Sequence, residues 1–345
     1  MIKFFRKIRQ NLLTENKFSK YMLYAIGEIV LVVIGILIAL GISNQNQQKI
    51  NDKKIASILK EIQNDLVKDI EESKMIFDYQ IYTDSIAKLI LNDKYSYEDY
   101  RTGDFETIGY YFNDFKVITN GYDNLKRNID NVPEKYSAII NDLKNLYELD
   151  KTELDVYNER IRATVYKNID ELYNFNWYQE QAKGIVSEEE INYRLNDDHY
   201  KNMVIKYMND RINVFLKCKS YKSDAINLHN KISELLESKD SISKNVSYNS
   251  IKGSLGLNNY VGTYKLKETI NNSWDKIIEI KEVNGQLFLS NEDTDVIEIL
   301  WYDKSVFVDT GKRSPILVIF NRSKKGELYI SSDINMSAIY EKTKG

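Results

Sequence analysis

The hydrophobic pattern changes character three times along the chain. Residues 21–42 form an almost unbroken apolar run with one charge, Glu28. A helix of that length rises about 33 Å at 1.5 Å per residue, enough to cross a hydrocarbon core of about 30 Å. From Ile50 the apolar positions space out. Ile55, Ile58, Leu59, Ile62, Leu66 and Ile70 recur at three- and four-residue steps among Lys, Glu, Asp and Asn, which is one face of an amphipathic helix. This helix is expected to run on directly from the apolar segment to about residue 92.

A second helical series passes through Ile139, Leu143, Leu146, Leu154, Ile161, Val165 and Leu172, with Pro133 placed as a first-turn proline. A third begins near Ser187, where Ser187 and Glu190 have capping-box spacing, and resumes through Val204, Met208, Phe215, Leu228 and Ile232. Shorter helical pieces fit residues 97–118 and 122–129, with Gly103, Gly109 and Gly121 as breaks. Long helices with short connections predict an antiparallel bundle. Their apolar faces could equally be coiled-coil seams with other chains, but three helices of one chain already cover one another.

After Lys239 the chain becomes rich in Ser and Gly, as in a flexible linker. Eight short β-type runs follow: 260–265, 277–282, 286–290, 296–300, 305–309, 316–321, 327–331 and 338–341. Asn284-Gly285 between two of them is a hairpin signal, and Asp303-Lys304 and Lys325-Gly326 are further turns. So many short strands predict a small antiparallel barrel or sandwich.

Charge orients the apolar run. Before it stand Lys3, Arg6, Lys7, Arg9, Lys17 and Lys20 against Glu15 alone; after it the residues from Ser43 to Gln48 are uncharged. Basic flanks stay on the cytoplasmic side, so the N-terminus is expected inside and the rest outside. A cleaved signal peptide is the rival, with Ala39 and Gly41 spaced like a cleavage site. The long basic region, Glu28 and the bulky Ile42 favour an uncleaved signal-anchor instead. The expected fold is α+β and multidomain: a basic cytoplasmic tail (1–20), a transmembrane helix (21–42), a helical extracytoplasmic domain (43–240), a linker (241–258) and the small β-domain (259–342).

Glu28 is a candidate for a contact between membrane helices, because an intramembrane carboxylate tends to face a partner or water. Gly27 and Gly35 would permit close approach, although no strict G-x-x-x-G is present. The plainer reading leaves Glu28 hydrated or protonated near the cytoplasmic end.

At these residues a resemblance enters. The run from Met1 to Gln10, Leu13 to Tyr21 and Tyr24 to Leu40 resembles domain-of-unknown-function family 6090, single-pass membrane proteins common in Bacteroidota. Gly121-Tyr-Asp-Asn-Leu-Lys126 is similar to a second element of that family. Gln45 stands where the family usually has a tryptophan, and Arg127-Asn128 replace a serine–glycine pair. The resemblance supports the anchor and the helical domain and supplies no activity; the expected location is a bacterial inner membrane, with the bulk of the chain periplasmic. Tyr260-Val-Gly-Thr-Tyr264, Asn284-Gly-Gln-Leu287, Ile319-Phe-Asn-Arg322 and Ile339-Tyr-Glu341 resemble the small lipocalin-like β-domain found after serine β-lactamase-type hydrolases. The S-x-x-K motif of the hydrolase domain does not head any folded region here.

Catalytic chemistry is sparse. Among 345 residues there are two His and one Cys, which excludes a disulfide framework and a multi-thiolate zinc site. His199 beside Asp197 and Asp198 could suggest a metal or base site, but His229 lies thirty residues on, about 45 Å along a continuous helix. Cys218 between Lys217 and Lys219 has no histidine neighbour and reads as a structural thiol. Glu188-Glu-Glu190 and Asp197-Asp198 lack the pattern of a calcium loop and read as solvated helix surface. Trp177, Trp274 and Trp301 read as packing residues. No catalytic, cofactor-binding or metal residue is therefore assigned.

The net charge of −3 averages a basic arm of +5 and an acidic remainder of −8, which argues against nucleic acid. The expected partners are the lipid bilayer, a membrane or periplasmic protein, and a second copy of the chain. The leading expectation is a non-enzymatic binding protein. The alternatives are a hydrolase-like enzyme with a site between the helical and β-domains, and an apolar-ligand carrier using the β-domain.

Overall fold

The computed structural model describes residues 18–103, 105–242, 256–269, 274–283, 285–291, 296–303, 306–309, 317–320, 326–333 and 336–343. The basic tail to residue 17, most of the linker, and Asn284, Lys304, Lys325 and Asn321-Arg322 lie outside them, as does the side chain of Trp301.

One helix, α1, runs unbroken from Phe18 to Leu91 over 74 residues, about 110 Å. Both prolines of the chain, Pro133 and Pro315, lie elsewhere, so nothing removes a backbone donor within it. Its N-terminal part is long and apolar enough to cross a membrane and none of that stretch is buried in the protein. Its C-terminal part is core, with Ile55, Leu59, Ile62 and Leu66 fully buried. Between them residues 43–54 continue the helix for about 18 Å, exposed as far as Ile50 and then meeting the body, where Asp52 pairs with Lys135 at 3.2 Å. At the far end Asp93 adopts a left-handed φ of 52°, and the Lys94 amide donates to the Leu89 carbonyl at 2.9 Å, a Schellman closure.

Two more long helices complete the body: α5 (Lys151–Leu172) and α8 (Asp198–Leu235). The short helices are α2 (Tyr97–Thr102), α3 (Asn120–Lys126), α4 (Ser137–Lys144), α6 (Tyr178–Gln181) and α7 (Glu188–Asn196). Helix α8 packs against α1 on one side and α5 on the other. Pro133 leads into a 3₁₀ turn at Glu134–Tyr136, and α4 passes into α5 through a π-helical turn at Asn145–Asp150. The extra residue of that turn lets the consecutive Leu146 and Tyr147 both be buried. Ser187 caps α7 by accepting from the Glu190 amide, and Asp197 caps α8 by accepting from the His199 amide.

The expected helix over 97–118 is corrected. Only α2 is helical there, and residues 105–119 run without regular structure. Their backbone groups are taken by side chains instead. Asn158 bonds both the amide and carbonyl of Phe115, Asn168 donates to the Gly109 carbonyl, and Asp69 accepts from the Ile118 amide. Gly109, at φ +100°, turns the chain with a conformation that a side chain would strain.

The C-terminal region is a closed barrel of eight strands, each antiparallel to the next and β1 closing on β8. The strands are β1 Gly262–Thr269, β2 Ile277–Val283, β3 Gln286–Asn291, β4 Val296–Asp303, β5 Val306–Asp309, β6 Leu317–Phe320, β7 Glu327–Asp333 and β8 Met336–Lys342. Inward positions alternate, as in Ile278 and Ile280, Leu287 and Leu289, Leu328 and Ile330. The buried Tyr340 keeps its hydroxyl satisfied by donating to the Asp275 carbonyl at 2.9 Å.

Candidate functional site

A ladder of polar side chains lies where α1 meets α3. Glu61, Asp65 and Asp69 are spaced four apart on α1 and line one face. Each grips the chain approaching or forming α3. Glu61 accepts from the Asn124 amide side chain at 3.1 Å, Asp65 from the Gly121 backbone amide at 2.9 Å, and Asp69 from the Ile118 amide at 3.1 Å. Thr119 at the start of α3 makes no side-chain cap bond. The Asp65 carboxylate satisfies a first-turn amide from across the interface, next to the positive end of that short helix.

Gly121 makes this approach feasible. A Cβ there would lie 2.7 Å from the Ile62 backbone nitrogen and 2.9 Å from its Cα, so the contact is backbone on backbone. The next residue, Tyr122, stacks on Tyr147 with ring centroids 4.7 Å apart and planes at 7°. Its hydroxyl donates to Glu148 at 2.6 Å, which ties α3 to the π-helical turn. Asn128 closes the segment by donating to the Asn124 carbonyl at 2.8 Å.

Asp69 is the unusual member. It is fully buried, and its second oxygen accepts from the Tyr221 hydroxyl of α8 at 2.5 Å. Burial pushes its carboxyl up to about 7, opposed by the bonds from Tyr221 and Ile118 and reinforced by Glu72 and Asp65. Among the described residues no lysine or arginine forms an ion pair with it. Burial likewise raises the Tyr147 and Tyr221 hydroxyls. This arrangement can hold a proton at a three-way helix junction; it is sealed from solvent.

Sequence reasoning missed this ladder, although a signal was present. Asp65 and Asp69 fall on the apolar stripe of Ile62, Leu66 and Ile70, and acids on a core face call for partners. It also missed Glu190. The run Glu188–Glu190 reads as solvated surface, but Glu190 and Arg194 are each 1% exposed and pair at 2.9 Å. Arg194 stacks among Phe105, Trp177 and Tyr200, with its guanidinium 5.4–5.7 Å from each ring centroid. Asp210, also buried, pairs with Arg160 and Lys206 and accepts from Thr164. Arg211 is buried with no carboxylate in ion-pair distance among the described residues; it donates to the Ile76 carbonyl at 3.0 Å and lies 4.4 Å from the Tyr79 ring centroid.

The residues singled out from sequence are not brought together. Gly27 and Gly35 have open space around them, and with Glu28 they lie on the uncovered part of α1. His199 is exposed, 3.0 Å from Glu171, whereas His229 is buried at the other end of α8, where burial lowers its pKa. Cys218 is wholly buried, and burial pushes its thiol up to about 12, overriding the nearby cations. Trp177 belongs to the core. Among the described residues no group of three His, Cys, Asp or Glu is placed to hold a metal ion.

No curated protein matches the chain. Residues 28–128 match DUF6090, a family of unknown function. The matched stretch begins at Glu28 within the apolar run and ends at Asn128, the last residue of the α3 clamp, so the N-terminal resemblance before Glu28 and the barrel both lie outside it. What the chain is similar to in that family is therefore one architectural unit: the apolar helix, its continuation into the body, and the segment that the acidic ladder holds.

Proposed function

We propose that this protein is a single-pass membrane anchor that presents a helical interaction domain and a β-barrel outside the cytoplasm, and that it works by binding and not by catalysis. One observation carries the reading. The helix that is apolar enough to cross a membrane is the same unbroken helix that forms the core of the body, so the interaction domain is rigidly joined to the bilayer. The basic arm before the apolar run and the uncharged residues after it support a cytoplasmic N-terminus. In a bacterium this is the inner membrane, with the bulk of the chain periplasmic and a membrane or periplasmic protein as its partner.

The buried ionisable groups favour binding over a hydrolase-like site. Asp69, Glu190 and Asp210 are tied to backbone amides, hydroxyls or cations, and none of them lines the four clefts described on the helical body. Among the described residues, twelve buried side chains form a cluster in the barrel interior, among them Tyr264, Phe307 and Tyr340. A carrier would expect an open cavity there.

Protease protection on intact spheroplasts tests the reading. External protease is expected to digest the body while an N-terminal tag stays protected, and carbonate washing is expected to leave the protein in the membrane. Digestion only in inverted vesicles, or release by carbonate, would overturn it.

A further inference from the structure

Helix α1 has a second face that the body leaves uncovered. Where Ile55, Leu59 and Ile62 turn inward, the opposite positions such as Lys54, Ser57 and Asn64 are exposed. Counting back from Ser57 in sevens gives Ile50, Ser43 and Ile36; counting back from Lys54 gives Gln47, Leu40 and Val33. These two lines adjoin and have the spacing of the a and d positions of a coiled coil. Their phase is continuous from the apolar run to the exposed Lys54 and Ser57 at the start of the body, beyond which one line turns inward at Glu61.

Ile50 is the informative residue. It lies eight residues beyond the apolar run on a helix of Asn, Gln and Lys, 59% exposed. The same stretch also holds Ser43, Asn44 and Asn46, exposed residues of modest helix propensity that gain little from standing alone in water.

The charge pattern identifies the occupant. Two copies inserted the same way in one bilayer lie parallel, so identical helices meet in register and each residue of the face meets its own counterpart. From Val33 to Ile50 both lines are uncharged, and Ser43 and Gln47 can exchange hydrogen bonds with themselves. From there on one line reaches Lys54, which would face its own like-charged counterpart and be repelled, while Glu61 of the same line turns into the body and accepts from Asn124. We propose that the face of α1 between Val33 and Ile50 is a parallel seam for a second copy of this chain, and that the seam ends at Lys54, where the two bodies separate. Gly27, Glu28 and Gly35 fall off both lines and take no part in it. This inference rests on α1 crossing the membrane, as proposed above.

Single cysteines in the full-length protein in native membranes test it, with the buried Cys218 left in place. A disulfide needs Cα atoms about 4.4–6.8 Å apart. Under mild oxidation Ser43→Cys, Gln47→Cys and Ile50→Cys are expected to give a covalent homodimer in clearly higher yield than Gln45→Cys and Gln48→Cys. Adding Ile50→Lys to Ser43→Cys is expected to abolish most of that dimer. Equal yields at all five positions, a maximum at Gln45 and Gln48, or cross-links only to a different protein would overturn the seam. Labelling the same cysteines with a membrane-impermeant maleimide separates the two readings. Membrane-bound protein that labels from outside without cross-linking keeps the anchor and removes the seam; protein absent from the membrane removes both.

Discussion

Replacing Asp69 by Asn removes a buried carboxyl whose ionisation the fold opposes, so the effect must depend on pH. The folded state holds the Asp69 carboxyl at about 7 against an ordinary value of 3.8. A group raised in this way binds its proton more tightly when folded, so its contribution is complete at low pH and is lost as pH rises through 7. The full difference corresponds to on the order of 4 kcal/mol against the ionised form. Most of the change within reach falls between pH 5 and 8, where wild-type stability should drop by roughly 2–3 kcal/mol relative to Asp69→Asn. The Asn side chain can still accept from the Ile118 amide while donating to a rotated Tyr221 hydroxyl, so the clamp survives. Urea unfolding of both proteins in the same detergent, followed by the fluorescence of the buried Trp177 and its fellows, measures the difference. Groups titrating elsewhere cancel in the comparison. A stability difference that stays constant from pH 5 to 8 would refute the account of Asp69.

Three further outcomes can be checked on the same preparation. Gly121→Ala should destabilise by about 1–3 kcal/mol or more, because its Cβ meets the Ile62 backbone and not a movable side chain; denaturant midpoints measure this, and a neutral result would show that α3 can shift away from α1. Arg194→Leu should cost about 3–5 kcal/mol by leaving Glu190 buried without its cation, and Glu190→Gln combined with it should recover part of the loss, as a double-mutant cycle would show. The Cys218 thiol should not react with a disulfide reagent at pH 8 until the protein is unfolded, since it is fully buried and pushed up to about 12; rapid native labelling would contradict its placement.

The strongly periodic parts were legible. The stripe from Ile55 to Ile70 and the series ending at Ile232 set α1 and α8, because burial of one face at helical spacing leaves little alternative. The alternation Ile278–Ile280 and Leu287–Leu289 around Gly285 marks a hairpin for the same reason, although barrel closure between β1 and β8 has no local signature. Residues 105–119 were misread because Ile108, Phe112, Phe115 and Ile118 fall at three- and four-residue steps as in a helix, while the groups that claim the backbone of this stretch, Asn158 and Asn168, lie far along the chain. The candidate site was half visible. Gly121 and Tyr122 were marked, but a carboxylate that caps another helix cannot be distinguished from a solvated one until the partner helix is placed. Glu190 shows the same ambiguity, with Arg194 four residues on as its only local hint.

The twelve-residue stretch of α1 between the apolar run and the buried core of the body also fixes an azimuth. A continuous helix has no hinge to absorb a change of length, so inserting one residue there lifts the body by about 1.5 Å and turns it by about 100° about the helix axis. Inserting seven lifts it by about 10.5 Å yet restores its heading to within about 20°. The length of this segment thus works as a bearing as well as a height, determining which side of the helical body faces any neighbour embedded in the same bilayer.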